Sequence, residues 1–189
     1  MATKISICSS ASVLIGDEVI SAIPGASTVS KVCDQIYDNT VNMELSSYPW
    51  KFAKAQASLA KLTAEPLFKE YKNAFQLPSG FQRVIRTEYR SDYRIHQNLL
   101  YSNQESVNLE YAFLPDVGQF PAYFSRVIEL KLAQLLSLSV AEDNSKSETF
   151  RKEYEVALMK AKSIDSQNQP PSRIRADVFL RARDEGYDG

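Results

Sequence analysis

The chain has 189 residues, 44% of them hydrophobic and 24% charged, with a formal net charge of −1. That length fits one domain, or one domain with an appendage, and is enough to bury a core. A near-neutral chain without a polybasic run argues against sequence-independent DNA binding by a single copy, because neutralising phosphates takes clustered Lys and Arg. No segment is long and apolar enough to read as a membrane span.

The two cysteines, Cys8 and Cys33, make neither a disulfide framework nor a zinc site and read as small apolar side chains on helices. The start, Met-Ala-Thr-Lys-Ile-Ser-Ile-Cys, lacks the apolar run of a secretory signal. The expected setting is therefore a cytoplasm, or a particle assembled in one. Ten Tyr and nine Phe accompany a single Trp. Tyr combines an apolar ring with a polar tip and suits interfaces, although a Tyr-rich core explains the count equally well.

Residues 5–15 predict a first helix, with Ile5, Cys8, Ser12 and Ile15 on one stripe and Gly16 as its stop. A connector follows to Pro24-Gly25, a turn signal. Residues 28–45 predict a second helix, in which Val29, Val32, Cys33, Ile36, Thr40 and Met43 recur at helical spacing. Pro49 pushes Tyr48 out of the helical region, so the chain turns there and Trp50 plugs the core at the corner. Residues 52–62 are ambiguous, with Ala-rich propensity favouring a helix. The stretch between Pro66 and Pro78 reads as loop with short extended pieces.

Residues 79–114 predict a β subdomain of about three antiparallel strands. Tyr93, Ile95, Gln97, Leu99 and Tyr101 alternate with Arg94, His96, Asn98 and Leu100 as one strand. Val107, Leu109, Tyr111 and Phe113 alternate as another, and residues 102–106 between them form a polar hairpin loop. Pro121 opens a third helix over 122–140, apolar nearly all round, which belongs at the centre of a core or under a neighbouring subunit. Ser145 to Glu148 fits a capping box that starts a fourth helix, with Phe150, Tyr154, Ala157, Leu158, Ala161 and Ile164 on one face. The short link predicts that helices three and four are antiparallel.

The fold class is therefore α+β: a bundle of about four helices (4–45 and 121–165) with a small antiparallel sheet insertion and an extended C-terminal tail. The body covers 1–166 and the tail 167–189. Trp50, Phe124, Ile128, Leu132 and Leu135 are the expected core and subunit-packing residues. The tail carries Arg173, Arg175, Arg181 and Arg183 around Val178, Phe179 and Leu180. A frayed terminus is the plainer reading of such a tail, but an apolar triplet between arginines favours a docking arm that orders on a partner, with Phe179 as its anchor.

The residue inventory points away from catalysis. His96 is the only histidine and lies in a predicted strand; the six glycines are scattered, without a phosphate-cradling loop. Asp34 and Asp38 lie one helical turn apart, as many solvated acid pairs do, and Glu129 on the apolar third helix is expected to form an interhelical salt bridge. No cofactor and no metal is expected. A rival from another class is a nucleic-acid-binding hairpin, with Arg83, Arg86, Arg90 and Arg94 forming a basic face and Tyr89 and Tyr93 stacking on bases. A solvated strand edge is the plainer reading of those residues.

Several segments, in order, resemble the tail tubular protein A family, the head-to-tail adaptors or gatekeepers of short-tailed bacteriophages. Leu14-Ile15-Gly16 precedes Val19-Ile20-Ser21; Tyr48-Pro49-Trp50-Lys51-Phe52-Ala53 is similar to the family's Pro-Trp-x-Phe-Ala corner. Tyr71 to Ser79 followed by Arg83-Val84, and Phe120-Pro121-Ala122-Tyr123-Phe124 leading into Glu129 to Ala133, resemble its later motifs. The likeness spans residues 5–164, and no family motif matches the tail. It implies a non-enzymatic virion tail protein, assembled in the host cytoplasm. Its subunits would form a ring of twelve copies below the portal protein and above the nozzle, a tail tubular protein B-like partner, with tail fibres as further contacts. DNA would pass through the lumen.

Overall fold

The computed structural model describes residues 2–64, 66, 69–88 and 92–168. The chain is α+β, with two helices, a β unit, then two helices. Helix α1 (Lys4–Ile15) is capped by Thr3, which exchanges hydrogen bonds with Ser6. It ends at Gly16 with φ 91°, where the amides of Gly16 and Asp17 donate to Val13 O and Ser12 O. That is a Schellman ending, and a left-handed residue there favours glycine. Helix α2 (Thr28–Ser47) runs two residues past the predicted 45, and Tyr48 is extended before Pro49, as the proline requires.

The chain then makes a 3-10 turn (Lys51–Ala53) and enters strand β1 (Lys54–Ser58). The helix favoured for 52–62 is not formed. Lys54 to Ser58 pairs with β6 (Asn108–Phe113), so a non-local partner overrides the alanine propensity. Strand β2 (Asn73–Gln76) is one of the extended pieces before Pro78. Strand β3 (Phe81–Thr87) pairs with the other edge of β6, with two register irregularities. The predicted strand 93–101 is instead a tight hairpin of β4 (Tyr93–His96) and β5 (Leu99–Ser102) turning at Gln97 and Asn98. Its register sets Ile95 opposite Leu100, so the buried face changes parity at the turn: Leu100, not Leu99 or Tyr101, fills the core.

The result is two three-stranded antiparallel sheets, β1-β6-β3 and β2-β5-β4, rather than one. Residues 102–106 connect the sheets instead of closing a hairpin, and the β region begins at Lys54 rather than 79. Phe75, Leu100, Leu109 and Tyr111 centre its own core. Gln97 takes φ 54°, a conformation in which an L side chain is strained. Gln97→Gly is expected to raise stability by roughly 0.5–1 kcal/mol, read as a higher urea midpoint at unchanged slope; a lower midpoint would contradict it.

Helix α3 (Ala122–Ser139) and helix α4 (Asn144–Gln167) complete the bundle. α4 starts at the cap Asp143, whose side chain accepts from Lys146 N, so Ser145 lies inside the helix and Glu148 pairs with Arg151 instead of closing a box. α3 packs against α1, α2 and α4. Its apolar surface is thus largely covered within one chain, Leu138, 56% exposed near its end, being the exception. Among the described residues no helix is long and apolar enough to cross a membrane.

Candidate functional site

The corner after α2 gathers the densest set of side chains. Because Pro49 stops the helix, Trp50 swings inward, is 1% exposed and donates from Nε1 to Glu44 O at 2.8 Å. Its ring meets Tyr48 at 4.9 Å and Phe124 edge-on at 5.1 Å, and lies alongside Tyr123 at 6.4 Å. Phe52 packs on Phe124 at 4.9 Å, and Phe120 closes on Phe124 at 5.0 Å. Such pairs add about 0.5–1.5 kcal/mol each beyond area burial.

Two acids pin this corner. Asp165, 0% exposed near the end of α4, accepts the Lys51 amide at 2.9 and 3.2 Å and the Tyr123 hydroxyl at 2.9 Å. Burial and then the Asp165 carboxylate push the Tyr123 hydroxyl above its usual range. Glu44, buried on α2, accepts the Tyr154 hydroxyl from α4 at 2.7 Å, and burial followed by this carboxylate raises Tyr154 likewise. The corner therefore ties α2, α3 and α4 together where the chain leaves for the β unit and where α4 ends. Neither acid was identified from sequence. The signal was periodicity: Glu44 follows Thr40 by four residues and Asp165 follows Ala161 by four, each continuing a buried stripe.

Of the expected packing residues, Trp50, Phe124, Ile128 and Leu132 are buried in the helical core. Leu135 is only half-buried and lies outside it; Leu136, the next residue, fills the position. All seven tail residues, Arg173, Arg175, Val178, Phe179, Leu180, Arg181 and Arg183, lie outside the described residues. Glu129 pairs with Arg126 on its own helix at 3.2 Å, not across helices. Asp34 and Asp38 hold Lys4 Nζ at 3.1 and 3.3 Å. Cys8 and Cys33 are free and buried; a shared hydrogen bond and burial push the Cys8 thiol up. His96 is exposed at the end of β4.

The basic hairpin is not assembled as one face. Arg86, on the first sheet, pairs with Glu110, and Arg94, on the second, pairs with Glu70 at 3.0 Å. Arg83 lines a crevice between the end of α2 and β3. Tyr89 and Arg90 lie outside the described residues. Among the described residues no group of three or more His, Cys, Asp or Glu could hold a metal ion.

No protein-family model matches the chain, and no curated protein matches it.

Proposed function

We propose that the chain is a structural subunit of the ring that joins head to tail in a short-tailed phage, between portal and nozzle. The observation that carries the reading is spatial. The segments 48–53 and 120–124, which resemble two of the adaptor family's motifs and lie about 70 residues apart in the chain, meet in the aromatic corner. A motif pair that makes one packed unit is what a resemblance of fold would require.

The body, closed by α4, would build the ring, and residues 173–189 would engage the portal. Electron microscopy of virions tests the first part: the protein is expected as a ring at the portal's tail side, and its absence from particles would end the proposal. Truncation tests the second. A chain ending at 172 is expected to fold with an unchanged circular dichroism spectrum yet fail to join portal-containing heads; normal joining would refute the docking role. The nucleic-acid reading finds less support, since Arg86 and Arg94 are each neutralised by an acid and sit on different sheets.

A further inference from the structure

Two exposed apolar surfaces on the helical body are built differently from the rest. Along α1, Ile5, Ser9 and Val13 recur every four residues on one stripe, with Ile5 40% and Val13 53% exposed. The connector after α1 folds back beside this stripe: Ile20 N donates to Ser9 Oγ at 3.2 Å, and Ser12 Oγ donates to Glu18 O at 2.6 Å. That places Val19, 72% exposed, in the same patch, with Asp17 and Glu18 at its rim. The only cation of α1, Lys4, is already held by Asp34 and Asp38, and Lys146 of α4 reaches the end of α1, where it donates to Ile15 O at 3.1 Å, so two acids stand against one cation at this rim.

The second surface is the groove between α3 and α4. Leu130, Val156 and Ala157 line it, with Arg126, Lys152, Glu153 and Lys160 around them. Along α4, Lys152, Val156, Lys160 and Ile164 recur every four residues, and Val156 and Ile164 are about half exposed. Among the described residues Lys152 and Lys160 form no ion pair, while Arg126 is engaged by Glu129. The groove therefore has an apolar floor and a rim in which two available cations outnumber one acid.

Resting on the ring reading above, we infer that these surfaces are the two halves of one interface between copies: the α1 patch of one subunit seats in the α3–α4 groove of the next. The rims decide this. Pairing either surface with itself across a two-fold axis sets like charges together, which is unfavourable, whereas pairing them with each other sets Asp17 and Glu18 against Lys152 and Lys160 around an apolar centre. α1 and α4 both pack on α3, and Lys146 Nζ of α4 donates to Ile15 O at the end of α1. Two different surfaces make a head-to-tail contact, which closes into a ring when the rotation permits.

Cysteine cross-linking of the full-length chain tests this, since the native thiols are buried. With a short bis-maleimide at high protein concentration, Val13→Cys alone and Val156→Cys alone are expected to give no dimer. Their equimolar mixture should give dimers, and the chain carrying both should give a ladder. Reversing the acid rim (Asp17→Lys with Glu18→Lys) should lower the mixed cross-link by about tenfold or more. Using Lys152→Glu with Lys160→Glu on the partner copy should restore it. Dimers of Val13→Cys alone would overturn the head-to-tail pairing. Cross-links that appear only after residues 169–189 are deleted would assign the groove to the chain's own C-terminal segment and also overturn it. Rings seen in virions without these cross-links would remove this interface but leave the adaptor reading standing. Absence from virions with the cross-links intact would do the reverse.

Discussion

Trp50→Ala is expected to lower stability by about 4 kcal/mol, the largest loss from any single truncation in this chain. Deleting a fully buried Trp costs roughly 3–5 kcal/mol through lost transfer free energy and the cavity left behind. Little here can collapse into the space, because Phe52 is braced against Tyr123 and Phe124 as well as against the indole, and Tyr48 packs edge-on against the indole. The substitution also removes the Nε1 donor to Glu44 O, which keeps the Ser47 hydroxyl at 2.9 Å, so the lost hydrogen bond adds little to that figure. At about 2–4 °C per kcal/mol for a chain of this size, the melting temperature should fall by roughly 8–16 °C. Trp50→Phe keeps a ring, loses the donor and should cost less than half as much. Trp50 is the only tryptophan, so circular dichroism must follow the variants, while wild-type fluorescence reports on this junction. A loss below about 1 kcal/mol for the alanine variant would show that the corner repacks freely, against the close-packing expectation.

The same corner shows what a sequence can and cannot disclose. Pro49 and Trp50 announced a turn and a plug because each acts through local chemistry: a proline restricts its predecessor, and an indole is too large to leave in water. The helices were legible for a related reason. Cys33 and Tyr37 in α2, or Phe124, Ile128 and Leu132 in α3, recur at the helical period that one buried face imposes. β1 was not legible, since Lys-Ala-Gln-Ala-Ser carries no strand former; its conformation comes from Leu109 and Tyr111, about fifty residues on, facing Ala57 and Ala55. The β4–β5 turn was missed because Gln97-Asn98 lacks the glycine that normally marks a two-residue hairpin. Alternation continued through it unbroken, so one strand and two looked alike.

The site is less legible in the sequence than the fold. The aromatic residues of the corner were visible, but the acids that hold them were not. A lone Asp after the last apolar residue of a helix looks like a solvated helix end, and the sequence pattern stops the helix at 165. α4 instead continues to Gln167, carrying that carboxylate inward. The apolar character of α3, which from sequence could mean either a central helix or one covered by a neighbour, resolves to the central position. The apolar side chains left for a neighbouring copy to cover therefore include Leu138 near the end of α3 and, elsewhere, Val13, Val19, Val156 and Ile164.

Asp165→Ala is expected to cost about 3 kcal/mol. The change removes the acceptor of two part-buried donors, the Lys51 amide and the Tyr123 hydroxyl, and hydrogen bonds to a charged group contribute about 1.5–3 kcal/mol each. Relief of the desolvation suffered by a buried carboxylate offsets part of that sum. Asp165→Asn, which keeps one accepting oxygen, should lose about half as much. Tyr123→Phe separates this hydrogen-bonded role from simple packing. In the wild-type background it removes a bond and should cost about 1 kcal/mol; in the Asp165→Ala background it removes a hydroxyl that has already lost this acceptor and should cost less. A coupling near zero would mean that the two groups do not depend on each other. The loss should also be local. Asp165 fastens the last turns of α4 to the corner, whereas Phe150 and the Asp143 cap hold its beginning. Amide exchange should therefore accelerate over residues 161–168 and in the 3-10 turn at Lys51, with the first two turns of α4 unchanged. Uniform acceleration along α4 would assign Asp165 to global stability alone. Confined acceleration would make it the fastening that sets where the C-terminal segment leaves the body.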